Sequence, residues 1–168
     1  MHRTLYVEGS WIYSSPPYRE GAEHVAAFVA RFRAETAAEG FALVAAERSG
    51  RMVGFAHGVS CGPDGWWRDA DQEPEEIRGL ATFAVLEFIV TRAERGKGIG
   101  TALMTALLAD RPERYATLCA NPAAPARRIY QRWGWRSVAT VHPPTMGAMD
   151  VLLFEFHPDR GPAPTAHP

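Results

Sequence analysis

Three glycines at alternate positions, Gly96, Gly98 and Gly100, punctuate the segment TRAERGKGIGT, which follows an apolar run ending at Val90. Lacking Cβ atoms, they let the main chain approach a ligand closely. A helix starting near Ile99 would turn its first N–H groups and the positive end of its dipole toward the same place, which favours an anion. Arg95 and Lys97 add positive charge between the glycines. The chemistry this suits is pyrophosphate binding; the plainer reading of the two cations is a solvated basic turn.

Other phosphate patterns match poorly. A P-loop requires Gly, four residues, then Gly-Lys-Ser/Thr, and the chain has no such string. A dinucleotide fingerprint starting at Gly96 would need glycine where Thr101 stands, and one starting at Gly98 would need it at Leu103. What the string does fit is Arg/Gln-x-x-Gly-x-Gly/Ala, with Arg95, Gly98 and Gly100, within VLEFIVTRAERGKGIGTALM. Here the chain resembles the GNAT superfamily of acyl-CoA N-acyltransferases. A second segment, ANPAAPARRIYQRWGW, is similar to the family's later motif, with Ala126 as its small residue, Tyr130 four positions on, and Trp135 after the helix-ending glycine. Asn121 stands five residues before Ala126, where the family's asparagine usually stands three before, and Pro125 lies between.

The resemblance implies a single mixed α/β domain whose central sheet is mixed, largely antiparallel and twisted, with helices on its flanks. It implies acetyl-CoA as co-substrate, no metal, and direct attack by a primary amine in a ternary complex. The coenzyme would lie along the main chain of Phe88, Ile89 and Val90, on the turn Arg95, Gly96, Lys97, Gly98, Ile99, Gly100 and Thr101, and near Asn121 and Ala126. One N–H of the strand before the turn would polarise the thioester carbonyl. By the same resemblance Tyr130 would give a proton to the departing thiolate; otherwise it simply packs its helix on the sheet.

Acyl transfer also needs a neutral amine, hence a base. Glu87 interrupts an apolar strand and by alternation shares a face with Val85 and Ile89. Burying a carboxylate alone is costly and favours its neutral form, so Glu87 could accept the amine's proton directly or through water; equally, it could sit at a sheet edge or pair with an arginine. His57 reads as a hydrogen-bonded sheet histidine. Cys119 has no activating neighbour in sequence, so an acyl-enzyme is disfavoured. The acidic run Asp69, Asp71, Glu73, Glu75 and Glu76, beside Trp66 and Trp67, reads as a solvated loop or as a lure for a cationic amine.

Elements that could position these residues follow from periodicity. Val25, Phe28, Val29 and Phe32 fall at helical spacing between Glu23 and Ala38. Strands at 41–46 and 52–60 form a hairpin, 61–78 is an exposed loop, and 82–90, 99–109 and 115–120 make a βαβ unit with Ile99, Leu103, Ala106 and Leu107 on one helix face. A short helix over 125–133 and a last strand pair, 135–141 and 151–156, complete the domain at 1–156; 157–168 reads as a Pro-rich flexible tail.

The 168 residues suffice for one core, and 46% hydrophobic with 22% charged residues is ordinary globular composition. A formal net charge of -1 argues against nucleic acid as partner. The opening MHRTLYVEGS lacks the apolar core of a signal peptide, and 80–90 is too short for a bilayer, so the cytosol is the expected compartment, with no membrane partner. A homodimer is compatible with all of this. Two further readings stand beside the transferase: an acyl-CoA-binding sensor without chemistry, and an interaction module anchored by Trp11, Trp66, Trp67, Trp133 and Trp135.

Overall fold

A computed structural model describes residues 24–144 and 147–156. The elements run α1 (His24–Glu35), β1 (Ala42–Arg48), β2 (Arg51–Cys61), β3 (Thr82–Val90), α2 (Ile99–Leu108), β4 (Tyr115–Ala120), α3 (Pro125–Arg132), β5 (Arg136–Val141) and β6 (Met149–Glu155), with single 3-10 turns at Glu75–Ile77 and Arg92–Glu94. The six strands form one sheet in the order β1-β2-β3-β4-β6-β5. Among the described strands only β3 and β4 run parallel, joined through α2 as the βαβ reading requires. The other pairs are antiparallel. The first hairpin is tighter than its sequence suggests: Arg48 pairs with Arg51, leaving Ser49 and Gly50, both at positive φ, as the turn.

Alternation divides the strands between two faces. One carries Ala56, Phe83, Val85, Ala116, Leu118 and Leu152, buried beneath α2 and α3. On α2 the buried residues are Leu103, Met104, Leu107 and Leu108. Ala106 is exposed, contrary to its expected place on the inner face, because the buried stripe takes the other neighbours of Leu103 and Leu107. The opposite face is covered by α1 through Phe28, Phe55 and Ile89, and farther along by the segment after β2, through Ile77 against Tyr115 and Leu153. That segment, expected as an exposed loop, is a covering layer. Its Ile77 is buried, and Trp66 and Trp67 pack on Val138 and Ala139 of β5. The expected tail at 157–168 lies outside the described residues, as does Trp11.

Candidate active site

A local defect opens the sheet. His57 of β2 pairs with Glu87, but its neighbour Gly58 pairs with Val85, so Leu86 is an extra residue on β3, a β-bulge. On its other side β3 follows β4 only from Thr82–Tyr115 to Val85–Leu118. Past that point β3 continues to Val90 without a β4 partner, and the two strands part. Thr91 N–H donates to Val53 O at 2.9 Å, so by alternation the N–H and C=O of Phe88 and Val90 point away from β2, into the opening. Ile89 turns the other way: its side chain lies in the α1 cluster and its main chain faces β2. The bulge also corrects the expected face of Glu87, which shares the α1 side with Ile89 while Val85 packs under α2.

The opening leads directly into the glycine turn. Gly96 (φ 73) and Gly98 (φ 79) hold left-handed conformations, and a Cβ on either would meet nothing within 4 Å, so backbone geometry alone selects glycine there. Gly100 has another cause, since its Cβ would stand 3.0 Å from Phe88 Cζ. The first helical bond is Ala102 N–H to Gly98 O, and among the described residues the N–H groups of Gly96 through Thr101 have no protein acceptor. The basic side chains are less available. Arg95 Nε donates to Val90 O at 3.0 Å, tying the turn to the strand end, and Lys97 Nζ lies 3.3 Å from Glu94 Oε1. Glu94 also faces Arg48 of the first hairpin at 3.3 Å. The anion donors left unsatisfied are therefore main-chain amides at a helix N-terminus.

Tyr130 of α3 is buried in an aromatic group that includes Phe88, at 6.1 Å between centroids, Trp133 at 6.0 Å and Trp135 at 6.2 Å. Phe88 stands just past the bulge, so the contact brings Tyr130 to the unpaired stretch of β3. Pro125 at the first position of α3 and the buried Ala124 before it fix where the helix starts. Ala126 packs on the main core. Asn121 Oδ1 accepts from Ala123 N–H at 2.9 Å, a local turn that shapes the β4–α3 connection.

Glu87 is buried and paired. Arg31 of α1 donates to it at 2.5 Å and bridges to Glu35 at 3.1 Å, and Glu35 in turn meets His57 Nε2 at 2.8 Å. Glu87 thus has an arginine partner, though Arg31 itself is half-exposed. Sequence reading did not single out Arg31; its only local signal was the i, i+4 spacing to Glu35. His57 is fully buried. Cys119 faces away from α3, in the cluster with Trp66 and Trp67, and burial pushes its thiol up to about 12. Burial likewise raises the Cys61 thiol.

The acidic run is structural at several points. Asp71 Oδ1 accepts from Thr140 N–H at 2.9 Å, Glu76 pairs with Arg136, and Asp71 N–H donates to Thr140 O. It pairs along the outer edge of β5 and protects it. The described tryptophans form no single exposed patch: Trp135 is buried, Trp133 packs on Tyr130, and Trp66 and Trp67 lie against β5. Among the described residues no group of His, Cys, Asp and Glu gathers as a metal site, and no helix is long and apolar enough to cross a membrane.

Comparison with known proteins agrees with this architecture. The chain superposes on a GNAT-family protein from Desulfovibrio desulfuricans with a TM-score of 0.60 at 19% identity, over 91% of this chain and 88% of the other. It matches NAA60 of Arabidopsis thaliana, solved with acetyl-CoA, at a TM-score of 0.58 and 16% identity over 90% and 92% of the two chains. The PaiA N-acetyltransferase of Thermoplasma acidophilum, solved with coenzyme A, gives 0.58 at 11% identity over 92% and 91%. No curated protein sequence matches the chain. The model of the acetyltransferase (GNAT) family matches residues 7–135, and the chain belongs to that family of acyl-CoA-dependent N-acyltransferases.

Proposed function

We propose that this chain transfers an acetyl group from acetyl-CoA to a primary amine by direct attack in a ternary complex. The observation that carries the reading is one continuous path of main-chain groups. It starts where β3 leaves β4 after Val85, runs past Phe88 and Val90, and ends at the amides of Gly96 to Thr101. A diphosphate fits the amides at the helix start, and an extended pantetheine arm fits the open strand edge as an added strand would. The fold neighbours solved with acetyl-CoA and coenzyme A support this choice of co-substrate.

Within that arrangement the N–H of Phe88 or Val90 polarises the thioester carbonyl, a fixed dipole in a partly dry site. Tyr130, next to Phe88 on the α3 side, protonates the leaving thiolate. Glu87, on the α1 side of the same strand, takes the proton of the amine, so acid and base act from opposite faces of the opening. Cys119 is unsuited to form an acyl-enzyme, because its thiol stays protonated at neutral pH. Free-thiol release from acetyl-CoA, followed across a panel of amines, tests the reading. Saturable release with at least one primary amine is expected.

The sensor reading keeps one observation in its favour, the ion pair that occupies Glu87. Coenzyme binding without thiol release for any amine would select it.

A further inference from the structure

We propose that Arg31 and Glu35 are positioning residues for acyl transfer: Arg31 holds the Glu87 carboxylate and supplies the positive charge it faces, and Glu35, anchored by His57, holds Arg31. The inference rests on the reading of Glu87 as the base.

An isolated arginine–glutamate pair with a half-exposed guanidinium would be weak, since ordering two long side chains offsets most of the Coulomb gain. This arginine is held at both ends. It contacts Glu87 of β3 at 2.5 Å and Glu35 of its own helix at 3.1 Å, with its guanidinium 5.7 Å from the Phe28 ring centroid. Glu35 is restrained in turn by the ring of His57, which is wholly buried. Phe28, Phe32, Phe41 and Phe55 wall that ring at centroid distances from 5.0 to 6.5 Å, so its Nε2 direction is fixed by packing. His57 and Glu87 are also cross-strand partners. The chain of contacts thus starts and ends on neighbouring residues of the rigid sheet, and Arg31 closes it at the surface.

The charges give the arrangement a signature. Around Glu87 the charged and titratable groups include Arg31, which contacts it from α1, Glu35, which meets the same guanidinium, and His57 of β2, its cross-strand neighbour, while β1 adds the apolar Leu43 to this layer. Removing the guanidinium takes away the positive charge that contacts Glu87 and leaves the Glu35 charge on the same layer, which favours the protonated form of the base and moves the acid limb of the rate profile to higher pH. Removing the Glu35 charge does the opposite. A lysine at 31 keeps the charge but loses the two-pronged geometry, so turnover falls while the limb stays near its parental position.

The test is the pH dependence of kcat/KM for amine acetylation in the parent, Arg31→Gln, Arg31→Lys and Glu35→Gln, with circular dichroism to confirm folding. The acid limb should rise by about one unit or more in Arg31→Gln, fall in Glu35→Gln, and stay in place in Arg31→Lys. Profiles that drop in parallel without moving would overturn the proposal and leave the network a structural brace. Should Arg31→Gln not fold, the other two variants carry the same contrast. If the parent acetylates no amine, the transferase reading fails by itself. Carboxyl 13C NMR titration of Glu87 then decides the positioning: midpoints displaced in the same directions support it, and an unmoved titration in both Gln variants overturns it.

Discussion

Cys119 and Tyr130 lie on opposite faces of the sheet, and their surroundings assign them opposite duties. For Cys119, burial raises the thiol from 9.0 to about 12, so the folded chain binds the proton more tightly than the unfolded one. The linked stability is present in full below pH 9 and is lost progressively as pH rises from about 9 toward 12. Cys119→Ala should therefore leave acetyl transfer unchanged and flatten the alkaline limb of a denaturation curve relative to the parent; a fall in turnover of a hundredfold or so would revive an acyl-enzyme. Tyr130→Phe keeps the ring contacts with Phe88, Trp133 and Trp135 but removes the hydroxyl. We expect kcat to fall by roughly 10- to 100-fold with coenzyme affinity nearly constant, measured by steady-state kinetics and calorimetry; equal turnover would reduce Tyr130 to packing.

Among the elements, β3 and its junction with α2 matter most, and here sequence and structure part in an instructive way. The existence and order of the described helices and strands were legible, because periods of 3.6 and 2 reflect which face each element buries. The Leu86 bulge was not. In TFAVLEFIV nearly every residue is apolar, so a one-residue slip leaves no mark in the pattern, yet it moves Glu87 to the face opposite Val85. The crossing segment after β2 was missed for a related reason, since it covers the sheet with Trp66, Trp67 and Ile77 at no regular period. The glycines were recognised together but differ in cause. Gly98→Ala should cost about 1–2 kcal/mol through its φ of 79 alone. Gly100→Ala should cost about 1–3 kcal/mol by overpacking Phe88, and much less in a Phe88→Leu background. Denaturant titration of the four-member cycle checks this; an unchanged cost in the Leu background would refute the contact.

For the molecule as a whole, partners distant in sequence complete the site. Arg31 reaches Glu87 across 56 residues and Arg48 faces Glu94 from the first hairpin, pairings no local window reveals. The glycine turn was legible because its donors are contiguous, whereas the use of Arg95 and Lys97 as internal ties was hidden by that same proximity. Coenzyme binding to this turn should stabilise the native chain by about 2.7 kcal/mol at a hundredfold excess over Kd, a rise in Tm of several degrees. The most direct test is a 1H–15N NMR titration with acetyl-CoA. The amide resonances of Gly96 to Thr101 should shift first and saturate together, joined by those of Phe88 and Val90. Saturating shifts confined to other parts of the chain, or no shifts at all, would contradict it.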